Sequence, residues 1–139
     1  MSFETSQILK LGLAKKVSIC EALFLHKFKM RRRMKEHIKK IDDESFTKAT
    51  KEGVVLVDFY ADWCGPCKTL EPVLHKLAEE MSSKMSFVQI DVDSSPKTTT
   101  HFQITSIPTL ILFKGGKEVQ RVVGLKDLAT LKKMVSEAI

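Results

Sequence analysis

The sequence predicts an α/β domain, a central mixed five-stranded sheet flanked by helices on both faces, preceded by an N-terminal extension. Three observations carry this. From Met34 onward, apolar runs and amphipathic segments alternate in the order βαβαβ(α)ββα. The run Val54–Ala61 is nearly all apolar, as a strand covered on both faces requires. Gly115-Gly116 separates two strand-like runs, the signature of a two-residue hairpin.

Taken in order, His37–Ile41 is a short strand, and Asp42 and Asp43 offer N-caps for a helix containing Phe46 and Ala49 that ends before Gly53. After the strand Val54–Ala61, a helix runs from about Cys64 to Met81. Leu70, Val73, Leu74, Leu77, Ala78 and Met81 lie at the i, i+3, i+4, i+7 spacing of one buried face. Pro72 falls inside this helix, removes the hydrogen bond to the Lys68 carbonyl and predicts a kink. Met85–Val92 is the third strand and Pro96–Phe102 a short helix. Thr109–Lys114 and Lys117–Val123 form the hairpin. The last helix, about Asp127 to Ala138, buries Leu128, Leu131, Val135 and Ala138.

The chain has 139 residues, room for one domain and a tail. Its net charge of +6 points first to an acidic partner. Residues 1–33, however, hold eight Lys/Arg against two Glu, while residues 34–139 hold fifteen basic and fifteen acidic side chains. The body of the protein therefore carries no nucleic-acid footprint. No apolar run approaches the roughly 20 residues that span a bilayer, and none near the start matches a signal-peptide core. Three cysteines, an odd number, argue against a disulfide-stapled secreted scaffold. A structural zinc needs four ligands, and the scattered His26, His37, His75 and His101 do not complete a set with Cys64 and Cys67. No metal site is expected.

The chemistry is concentrated in Val57-Asp58-Phe59-Tyr60-Ala61-Asp62-Trp63-Cys64-Gly65-Pro66-Cys67-Lys68. Two cysteines three residues apart at a strand–helix junction share a face within disulfide reach. Pro66 suits a first helical turn. Cys64 then faces unpaired amides and the positive end of the helix dipole, which favour its thiolate and make it the attacking nucleophile. Cys67, one turn deeper and more buried, is the resolving thiol that closes the Cys64–Cys67 disulfide. A bare CxxC pair is also compatible with two core residues; Trp63 and Gly65-Pro66 at the junction favour the redox reading. Asp58 interrupts an apolar strand, so its carboxyl is either satisfied by a buried hydroxyl or water, or exchanges a proton with Cys67.

Trp63-Cys64-Gly65-Pro66-Cys67-Lys68, with Val57-Asp58-Phe59 before it, resembles the signature of the thioredoxin family. Pro72, Ile107-Pro108-Thr109, Gly115 and Gly124 extend the resemblance over residues 34–139. The resemblance implies the thioredoxin fold and a protein-disulfide reductase that maintains cell redox homeostasis. It assigns proton transfer to Asp58, a cis peptide facing the cysteines to Pro108, and backbone pairing with substrate to Ile107. Gly65 and Pro66, a dipeptide typical of reducing members, would contribute to the redox potential. Trp63, Gly65, Pro66, Ile107 and Gly124 would form a flat apolar patch for docking partner proteins, the plainer reading of Trp63 being a core aromatic. The resemblance further implies a cytoplasmic monomer with no bound cofactor beyond its redox-active disulfide. Its electrons would come from NADPH through thioredoxin reductase, and its substrates would be oxidised proteins. Two features depart from many members: Gln89 stands in place of a Lys near the buried Asp, and Tyr60 in place of a Trp. Two other readings compete, an oxidase or isomerase of an oxidising compartment and a binding module that uses the same patch without turnover.

Residues 1–33 have no counterpart in the minimal family domain. They are a mis-called start (with Met34 or Met30 the natural one) or a disordered tail, a transit peptide, or an amphipathic helix from Ile8 to Met30. Cys20 within them is an idle thiol or, under oxidation, a dimer link.

Overall fold

The computed structural model describes residues 37–139, so the readings of residues 1–33 and of Cys20 lie outside the described residues. The elements are β1 (Ile38–Ile41), α1 (Phe46–Thr50), β2 (Val54–Tyr60), α2 (Gly65–Met81), β3 (Ser86–Asp91), α3 (Pro96–His101), β4 (Thr109–Lys114), β5 (Lys117–Val123) and α4 (Leu128–Ala138). The strands form one sheet in the order β1-β3-β2-β4-β5. β1 and β2 both run parallel to β3, whereas β4 is antiparallel to β2 and β5 to β4. This is the mixed five-stranded sheet that the element order predicts. β2 lies at its centre, with all five residues Val55–Phe59 buried.

Alternation along β2 divides the core in two. Leu56 faces one layer with Leu70, Leu74, Leu77 and Ala78 of α2 and Leu131, Met134 and Val135 of α4. Val55, Val57 and Phe59 face the other, with Phe46 of α1 and the partly buried Phe102 after α3. In that second layer the rings of Phe46, Phe102 and Phe113 meet with centroids 5.1 to 5.6 Å apart, a spacing aromatic pairs favour. Met134 joins the core although the predicted face of the last helix does not include it, while Leu128 and Ala138 only flank the cluster. Leu77 is fully buried. Leu77→Ala therefore removes packing from both α2 and the sheet and is expected to cost about 3 kcal/mol, read as a lower urea midpoint at unchanged slope.

The hairpin forms as its glycines predict. Gly115 and Gly116 have φ of +60° and +84°, the left-handed values a two-residue turn of this hand needs, and Lys114 pairs with Lys117 across it. α4 starts as expected, with the Asp127 carboxylate accepting from the Thr130 amide at 3.0 Å. The caps expected for α1 are corrected. Its N-cap is Ser45. Asp42 instead closes a local turn by accepting from the Ser45 amide, and Asp43 accepts from the Lys97 and Thr98 amides at the start of α3. An Asp serves whichever orphan amides lie within reach, and here the fold brings the first amides of α3 to the Asp43 carboxylate.

Candidate active site

The sheet delivers its chemistry at the C-terminal end of β2, where the chain turns into α2. Cys64 is the N-cap of that helix: its backbone is extended, and its Sγ accepts from the Cys67 amide at 3.2 Å. Pro66 falls in the first helical turn, where its missing N–H leaves no partner unmatched. Cys64 and Cys67 are joined as a disulfide with Cα atoms 5.3 Å apart. The N-terminal amides and the helix dipole thus bear directly on Cys64 Sγ and favour negative charge there.

The expected contrast in depth between the cysteines is absent. Cys64 is 4% exposed and Cys67 7%. In the disulfide, Cys64 Sγ lies 3.8 Å from the Ile107 carbonyl oxygen, and Tyr60, Val92 and Ile107 pack against the cluster that Cys64 and Cys67 form with Ala61. Sequence spacing places the two Cα atoms but not the cover that a neighbouring loop provides.

That loop carries Ile107 and Pro108 of the predicted site. The Ile107–Pro108 peptide is cis. The Pro108 carbonyl accepts from the Gly124 amide at 2.8 Å, which seats Gly124 beside it. Gly124 has φ of +87°, a conformation a side chain would strain. Trp63 is 70% exposed, so it is not the core aromatic of the plainer reading. Its indole N–H donates to Asp93 Oδ2 at 2.7 Å, anchoring the ring from the β3–α3 turn. Gly65 and Pro66 are exposed next to it. Sequence reasoning does not single out Asp93; a lone surface carboxylate 30 residues from Trp63 carries no signal until the fold brings the two together.

Asp58 shares its sheet face with Leu56, beneath the start of α2. It pairs laterally with Gln89, which in turn pairs with Lys40, so the three residues form a row across β2, β3 and β1. Gln89 Nε2 donates to Asp58 Oδ2 at 3.2 Å, whereas Asp58 Oδ1 is buried with no hydrogen-bond partner. Burial pushes the Asp58 carboxyl up to about 7, with the negative charge of Glu71 adding to the rise and the Gln89 hydrogen bond opposing it. A carboxyl poised there can hold or release a proton at neutral pH. A cavity of about 110 Å³ joins Asp58 to Cys67. Among the described residues no group of three or more His, Cys, Asp or Glu side chains is placed to hold a metal, and no helix is long and apolar enough to cross a membrane.

A dithiol–disulfide couple at a helix N-terminus, on this sheet, defines a thiol–disulfide oxidoreductase. Comparison with known proteins gives the family: the thioredoxin family model matches residues 37–137, and the chain belongs to the thioredoxin family. It is 50% identical over 97 residues to a thioredoxin of Chlamydia trachomatis, covering 70% of this chain and 94% of that protein. Against a Bacillus subtilis thioredoxin the figure is 46% over 100 residues, covering 72% of this chain and 96% of the relative. Among solved structures, a mutant thioredoxin from Halobacterium salinarum superposes with a TM-score of 0.68 at 38% identity, covering 73% of this chain and 89% of that one.

Proposed function

We propose that the protein is a cytoplasmic, monomeric protein-disulfide reductase in which Cys64 attacks and Cys67 resolves. The observation that carries the assignment is the placement of Cys64 Sγ at the N-cap of α2, in contact with the Cys67 amide. The Cys64 thiolate attacks a substrate disulfide, breaking its S–S bond and releasing one substrate thiol after protonation. The mixed disulfide is then attacked by the Cys67 sulfur, whose proton passes to the Asp58 carboxylate. A Cys64–Cys67 disulfide forms and the second substrate thiol leaves, so two electrons have moved from the dithiol to the substrate.

Trp63, Gly65, Pro66, Ile107 and Gly124 form the docking face, with the Ile107 backbone offering strand-like pairing to the substrate chain and Pro108 shaping the floor. Gly65 and Pro66 tune the potential of the couple. The oxidised protein is returned to the dithiol by a flavoprotein, NADPH-dependent thioredoxin reductase. Residues 34–139 act as the working domain.

Two measurements test this reading. Equilibrated in glutathione buffers, the Cys64–Cys67 couple is expected to lie below the glutathione pool, that is, below about −220 to −260 mV. A value near those of oxidising thiol-exchange enzymes would replace the reductase with an oxidase or isomerase. A chain beginning at Met34 is expected to match the full chain in melting temperature and in disulfide reduction. A fall of several degrees on truncation would show that residues 1–33 contribute to the fold.

A further inference from the structure

Asp58 has one oxygen engaged by Gln89 and one, Oδ1, that is buried without a partner. The cavity it shares with Cys67, about 110 Å³, has polar walls and room for a few water molecules. Charged and titratable groups reach this space from each neighbouring element. Lys40 comes from β1, Tyr60 from β2, Asp62 from the β2–α2 turn, and Lys68 and Glu71 from α2; β3 supplies the neutral Gln89. On the remaining side Asp58 faces Leu110 of β4.

These groups do not act equally. The Lys40 ammonium lies 5.8 Å from the centroid of the Tyr60 ring, over its face. Asp62 and Lys68 are exposed to solvent, which screens them. Glu71 lies one turn beyond Cys67 on α2, half-exposed, and its carboxylate is the charge that reinforces burial in retaining the Asp58 proton. It in turn lies 3.6 Å from His75 Nε2, so a protonated His75 offsets part of its charge.

We propose that Glu71 is a positioning residue of the dithiol reaction: it stands one turn beyond Cys67 on α2, on the wall of the cavity that Asp58 shares with Cys67, and biases the proton exchange between those two groups. This rests on the reading of Asp58 as the proton acceptor. Gln89 fits the same arrangement. With a neutral amide on β3, Glu71 faces no cation on the strand beside Asp58, and the nearest basic residue in the row, Lys40, is one strand further away.

The test uses the full chain and two readouts, the pH dependence of protein-disulfide reduction and a carbon NMR titration of the Asp58 carboxyl. Glu71→Gln is expected to move the Asp58 midpoint down by about half a pH unit, raising the rate near pH 6 about threefold and leaving it unchanged above pH 8. Glu71→Asp, which keeps the charge, should hold the wild-type midpoint more closely. If Asp58→Asn removes the acid limb but Glu71→Gln leaves the midpoint in place by both readouts, the role of Glu71 is overturned and that of Asp58 stands. If Asp58→Asn keeps the limb, the reading of Asp58 fails and the inference fails with it.

Discussion

Cys64→Ser is expected to abolish protein-disulfide reduction, a loss on the order of a thousandfold or more, while Cys67→Ser attacks once and stays linked to its substrate. The two cysteines are equally buried in the disulfide, so exposure does not separate their roles. The helix does. Cys64 Sγ accepts from the Cys67 amide at the positive end of α2, and a serine hydroxyl there remains protonated at neutral pH. The Ile107 carbonyl oxygen lies 3.8 Å from the same sulfur. With Cys67 absent, no second cysteine among the described residues is left to resolve the mixed disulfide. Substrates should then be recovered on non-reducing gels from Cys67→Ser and not from Cys64→Ser. Recovery from Cys64→Ser alone would reverse the two roles, and recovery of the same partners from a double Cys→Ser variant would favour a binding module.

The parts of this site that are legible in the sequence are those fixed by neighbours along the chain. The apolar run that begins at Val54, Cys64 ahead of Pro66, the Gly115-Gly116 turn and Asp127 at the start of α4 all depend on spacings of a few residues, and each occurs where local rules put it. What is not legible depends on strand order. Asp43 caps a helix some 55 residues away, and Asp93 holds Trp63 across 30, because the sheet brings distant turns to one end. The row Lys40–Gln89–Asp58 exists only because β3 lies between β1 and β2. No periodicity within any one strand encodes it.

Replacing Asp58 tests the same row through stability, where the sign is fixed by the proton balance. The Asp58 carboxyl titrates at about 7 in the folded protein, against an ordinary value of 3.8. Below about pH 4 it is protonated in both the folded and unfolded chain and costs nothing. Between about 4 and 7 the unfolded chain ionises while the folded one keeps its proton, so stability falls as pH rises. Above 7 the folded protein carries an almost fully buried carboxylate with one oxygen unpartnered, and the accumulated cost is roughly 4 kcal/mol. Asp58→Asn removes the titration while keeping the volume and an acceptor for Gln89. Its new N–H group takes up part of the gain, leaving the variant about 2 kcal/mol more stable than wild type at pH 8 and no more stable at pH 4. Turnover at pH 7 should fall by one to two orders of magnitude as Cys67 loses its proton acceptor. Urea titrations of both proteins from pH 4 to 8 measure the first effect and disulfide reduction the second. A variant with the wild-type pH slope would mean that Asp58 is ionised throughout that range. A variant that gains stability without losing rate would make the buried carboxyl a structural burden with no part in the transfer. Gain of stability together with loss of rate is the pattern of a group kept in an unfavourable place because the reaction uses it there.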